Sequence, residues 1–123
     1  MGSPARARVQ QRRVICVSWI RSLAETREWM LRSAGYAVTS LLGIEGLDQC
    51  SPNADLLILG HSVPPEEKLL AIQKFRQVSR SPVLSLLRPN HPKLPEADFG
   101  VESHTASDVL AAVHRILASS PDE

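Results

Sequence analysis

Apolar residues in this chain come in short unbroken runs, separated by stretches where they recur every three or four positions. Residues 14–17 (VICV), 36–42 (YAVTSLL), 55–59 (DLLIL), 82–87 (PVLSLL) and 99–101 (FGV) are the unbroken runs. They are too short for helices and read as strands, 14–17 as a buried one and 55–59 as one buried on both faces. Helical spacing fills the gaps. Leu23, Met30, Leu31 and Ala34 form one stripe, opened by a capping box at Ser22 and Glu25 and closed by Gly35. Trp29 lies off that stripe. Pro64, Pro65, Glu66 and Glu67 open a second helix, with Ala71, Ile72, Phe75 and Val78 facing inward. Thr105 and Asp108 cap a third, whose inner face is Val109, Leu110, Val113, Ile116 and Leu117. Residues 43–50 offer only a short, weak helix, and Ser51, Pro52 and Asn53 a turn.

Strands alternating with helices predict an α/β fold: a doubly wound, five-stranded parallel sheet with helices on both faces. Right-handed crossovers then bring the C-terminal end of every strand to one edge, where such sheets place ligands and reactive groups. Ser18 and Trp19, Gly60 to Ser62, Leu87 and Arg88, and Glu102 to His104 belong to that edge. The pattern fails once. Residues 88–96 (RPNHPKLPE) hold three prolines, which no regular helix tolerates, so a fourth helix is shortened or replaced by a loop.

A chain of 123 residues suits one domain, here residues 13–118, with a basic arm over 1–12 and a tail over 119–123. The net charge of +1 gives no global field toward nucleic acid or a membrane. Arg6, Arg8, Arg12 and Arg13 crowd the arm, which reads as a solvated leader; nucleic-acid contact is the sharper alternative, but no aromatic residue is interleaved for base stacking. Cys16 and Cys50 have no metal-ligand spacing, and Cys16 sits in a strand as a small hydrophobe. A reducing, cytoplasmic location is expected, with no membrane span.

Four local motifs then stand in a telling order: Gly35-Tyr36-x-Val38, Asp55-Leu-Leu-Ile-Leu-Gly60-x-x-x-Pro64, Ser81-Pro82-Val83-Leu84 and Ala97-Asp98-Phe99. Through them the chain resembles the receiver domain of bacterial response regulators, CheY-like proteins of two-component systems. The resemblance implies a flavodoxin-like fold and puts Phe99 at the family's aromatic switch position. It also implies where phosphoryl chemistry belongs: an aspartate ending strand three, an acidic pair after strand one holding Mg²⁺, a Thr or Ser ending strand four, a Lys-Pro after strand five. This chain has Gly60, Ser18 with Trp19, Leu87, and Glu102 with Ser103 at those places. Glycine offers no acceptor, and a serine with an indole does not supply the hard oxygen ligands Mg²⁺ needs. Glu102 reverses the charge that would meet a phosphoryl group. No enzymatic activity and no cofactor are expected. Trp19 and Leu87 are expected to plug the vacated site and close it.

The leading functional expectation is a phosphorylation-independent pseudo-receiver acting in regulation through protein–protein contacts, self-pairing among them. Its contact candidates are Arg88, His91 and Lys93 in the loop, His114 on the last helix, and Trp29 on the first. A ligand or metal sensor at the sheet edge is the second reading, built on His61, Glu102 and His104 with Glu102 reaching toward His61; their spacing matches no recognised metal pattern. Contact between the arginine arm and nucleic acid is the third.

Overall fold

Every residue of strand β3 (Leu56–Leu59) is buried, and its side chains divide between two cores. Leu56 and Ile58 join one cluster, Leu57 and Leu59 the other. That division is why the run carries no polar alternation: both faces of the sheet are covered. The computed structural model describes residues 11–102 and 105–118; residues 1–10, Ser103, His104 and 119–123 lie outside the described residues. Strands β1 (Arg13–Ser18), β2 (Ala37–Leu42), β3, β4 (Val83–Leu87) and β5 (Phe99–Glu102) form one parallel sheet in the order β2-β1-β3-β4-β5. Helices α1 (Arg21–Ser33) and α4 (Ala106–Ala118) cover one face around Cys16, Leu31, Ile58, Leu86 and Val113. The single turn α2 (Leu47–Cys50) and the helix α3 (Pro65–Arg76) cover the other, around Val17, Leu47, Leu59, Ile72 and Phe75. The expected α/β class, strand count and missing fourth helix are all present: no helix stands between β4 and β5.

Several local expectations need correction. The capping box at Ser22 and Glu25 does not form: α1 starts two residues earlier, with Ile20 at its N-cap and no side-chain cap bond. The buried stripe of α1 is Ala24, Arg27 and Leu31; Leu23 and Met30 are half-buried, and Ala34 is the exposed C-cap. Val78 lies beyond the end of α3 and is exposed, because the helix stops at Arg76. Arg12, assigned to the leader, is docked instead, its Nη2 donating to the Leu117 carbonyl at 3.4 Å. The Thr105–Asp108 cap is reciprocal as expected: Asp108 N donates to Thr105 Oγ1 at 3.2 Å and Thr105 N to Asp108 Oδ2 at 3.1 Å.

Gly35 ends α1 with φ of +102°. Tyr36 N donates to the Leu31 carbonyl at 3.1 Å and Gly35 N to that of Arg32 at 3.0 Å, which together make a Schellman motif. An L side chain is strained at that φ, so Gly35→Ala is expected to cost about 1 kcal/mol, read as a lower urea midpoint with unchanged slope.

Candidate functional site at the carboxyl edge of the sheet

Gly60 follows β3 and is held tightly by the backbone, its N–H donating to the Val17 carbonyl at 2.8 Å and its carbonyl accepting from Val63 N at 3.1 Å. A Cβ placed there would stand 2.9 Å from Arg27 Nη1 and 3.0 Å from the Val17 oxygen. A side chain there must displace the end of Arg27 and squeeze past the Val17 carbonyl. The group that crowds it is unexpected. Arg27 projects from the middle of α1, is only 5% exposed, and carries its guanidinium over the position where the resemblance called for an aspartate. Nη2 lies 3.2 Å from His61 Nδ1, and Nη1 has no hydrogen-bond partner among the described residues. A guanidinium can only donate, so Nδ1 accepts and the proton of neutral His61 sits on Nε2. Burial lowers the Arg27 pKa, but a guanidinium keeps its charge in proteins. Beneath it, burial pushes the Cys16 thiol up to about 11 against the pull of Arg27, leaving an inert core thiol.

The ends of β1 and β3 are laced by hydroxyls. Trp19 N donates to Ser62 Oγ at 3.0 Å, Ser18 Oγ accepts from Ile20 N at 3.1 Å, and the two hydroxyls lie 3.3 Å apart. Ser62 is thereby spent on structure, with no general base beside it to make it a nucleophile. Trp19, expected as a plug, is 50% exposed. Its backbone is tied to Ser62, and Arg27 occupies the neighbourhood instead. Leu87 is half-buried and lines a cavity of about 500 Å³, so the site is not closed. A loop in place of a helix leaves the end of β4 uncovered.

Lys68 is the second buried cation. It rises from the first turns of α3, 7% exposed, and donates from Nζ to Ser85 Oγ at 2.9 Å and to the Leu86 carbonyl at 2.8 Å. Burial, helped by Arg88, lowers its pKa from 10.5 to about 8. His61 is pushed below its usual range by burial first, then by Arg27, Arg88 and Lys68. Every charge that shifts His61 is positive; Glu102, expected to reach it, is not among them. Glu102 Oε2 instead accepts from Asn90 N at 3.2 Å, which braces the 88–96 loop.

The other sequence candidates are dispersed. Trp29 is 72% exposed on α1 beside Glu25, Glu28 and Arg32. Arg88 and His91 are exposed in the loop, whereas Lys93 turns back to donate to the Leu94 and Ala97 carbonyls at 3.1 and 2.8 Å. His114 Nδ1 lies 2.5 Å from the Tyr36 hydroxyl, and Phe99 is exposed on β5. His104 lies outside the described residues, among which no three His, Cys, Asp or Glu side chains come together to hold a metal. Sequence reasoning missed Arg27 and Lys68. Their spacing, Arg27 with Ala24 and Leu31 and Lys68 with Ala71 and Ile72, marks both as inward-facing, and that signal was readable.

This architecture matches solved structures over most of the chain. A two-component response regulator from Clostridium difficile superposes with a TM-score of 0.74 at 17% identity, covering 89% of this chain and 98% of that one. The CheY-like receiver domain from Methylobacillus flagellatus gives 0.72 at 14% identity over 87% and 99%. A response regulator from Thermotoga maritima, solved with Mg²⁺ and BeF, gives 0.71 at 20% identity over 86% and 99%. The fold is that of a receiver domain. No protein-family model and no curated protein sequence matches the chain. At these identities the likeness shows the receiver fold alone. No helix among the described residues is long and apolar enough to cross a membrane.

Proposed function

We propose that the chain is a phosphorylation-independent receiver-like module that signals through protein contacts and is not an enzyme. The observation that carries this reading is the Arg27 guanidinium standing against Gly60, 2.9 Å from where a side chain would begin. In one stroke it sets a fixed positive charge where phosphotransfer needs a carboxylate and a divalent cation. The hydroxyls of Ser18 and Ser62, which stand nearby, are bonded to backbone and to each other. Support for a contact role comes from the loop that replaces a helix beside β5, with Arg88 and His91 exposed on it, and from Trp29 at 72% exposure on α1.

Incubation with Mg²⁺ and acetyl phosphate, followed by intact-mass measurement, tests the reading. No phosphoryl-sized gain is expected. A stoichiometric gain would show that an acceptor exists, with His61 the first residue to map.

A further inference from the structure

We propose that the cavity between the β3–α3 turn and the 88–96 loop binds a small phosphate ester of about mononucleotide size, through Lys68, Arg88 and His61. The inference stands on the cavity and its charges and does not depend on the signalling role proposed above. At about 500 Å³ the cavity falls within the usual range of small-molecule sites. Among the described residues its polar lining consists of His61, Ser62, Lys68, Ser85, Arg88 and His91, all basic or hydroxylic, with no carboxylate. Pro64, Pro92 and Leu94 supply apolar wall against which an organic body can pack.

The cations are arranged at a cost that an anion removes. A buried ammonium is ordinarily paired with a carboxylate. Lys68 has only a hydroxyl and a carbonyl, and its charged neighbour is the like-charged Arg88. Arg27 stands behind His61 as a further buried cation whose Nη1 is unpartnered. A phosphate group answers this set better than a carboxylate, because its oxygens can accept from several donors at once and its second charge meets the second cation. Lys68 and Arg88 supply the charge. His61, with Nδ1 engaged by Arg27, offers Nε2–H as a neutral donor that orients the ligand. Neither cation comes from the turn after β5, so the site is distinct from the position that the resemblance gave to Lys-Pro.

Calorimetric titration of the full chain with AMP, adenosine and inorganic phosphate at constant ionic strength tests the proposal. Saturable AMP binding is expected, at least tenfold tighter than phosphate alone, with adenosine silent. Lys68→Met and Arg88→Gln are each expected to weaken AMP at least tenfold; Arg88 is exposed, so its variant keeps the fold even if Lys68→Met does not. AMP binding no tighter than adenosine, or unchanged in Arg88→Gln, would overturn the site. Equal affinity for AMP and inorganic phosphate would overturn the ester assignment.

Discussion

An aspartate placed at position 60 is expected to leave the protein folded and still unphosphorylated, whereas the same aspartate in a chain without Arg27 is expected to cost about 3–5 kcal/mol. Two contacts decide the first half. A Cβ at position 60 meets Arg27 Nη1 at 2.9 Å and the Val17 oxygen at 3.0 Å. The backbone contact is a squeeze of a few tenths of an ångström. The guanidinium contact is with the far end of a flexible side chain of opposite charge, whose Nη1 lacks a partner. The new carboxylate gains a charge-assisted hydrogen bond there, so Gly60→Asp is expected to fall within about 1 kcal/mol of the parent. Arg27→Met removes a buried, half-satisfied charge and is expected to be neutral or stabilising by about 1–2 kcal/mol. Combining the two leaves a carboxylate buried without a cation. Urea denaturation of the four proteins gives the coupling free energy directly, and additive single effects would sink the assignment of Arg27 to this position. Intact mass after acetyl phosphate should stay unshifted in Gly60→Asp. An acceptor alone does not suffice where Ser18 and Trp19 stand in place of metal ligands and a guanidinium sits over the site.

How much of this was readable beforehand follows from the kind of interaction concerned. The inner strands were legible because β1, β3 and β4 each face two cores at once, which forces runs such as Leu56 to Leu59 to be apolar throughout. Gly35 was legible because a positive φ leaves few other choices. Arg27 and Lys68 were legible in their helical spacing but passed over, since counting apolar positions treats a long cationic side chain on an inner face as a break in the stripe. Both keep the helical spacing and carry their charge to the sheet edge, where it meets groups more than thirty positions away for His61 and seventeen for Ser85. Trp19 misled for the opposite reason. Its bulk suggested a filler, but the Ser62 hydroxyl fixes its backbone and the ring stays half in solvent. The loop's course depends on Asn90 with Glu102, Lys93 with Ala97, and the Arg76–Asp98 ion pair beside Val83 N, long-range pairings with no spacing signature.

Raising the pH from 7 to 10 is expected to stabilise the parent relative to Lys68→Met by about 2 kcal/mol. The sign follows from proton binding. The Lys68 pKa falls from 10.5 in the unfolded chain to about 8 in the folded one. Between those values the unfolded state holds the extra proton, so stability climbs with pH and levels off above 10.5. The methionine variant has nothing to release. Cys16, raised from 9.0 to about 11, acts in the opposite sense above pH 9, but it is present in both chains and cancels in the difference. Burial and the surrounding cations push His61 further toward its neutral form, while Arg27 and Arg88 stay charged. Urea midpoints at each pH unit supply the profile. A flat difference would mean that Lys68 is already compensated in the folded protein. Repeating the series with saturating AMP separates the two buried-cation arguments: an anion beside Lys68 restores its proton affinity, and the slope between pH 8 and 10 should then shrink toward that of Lys68→Met.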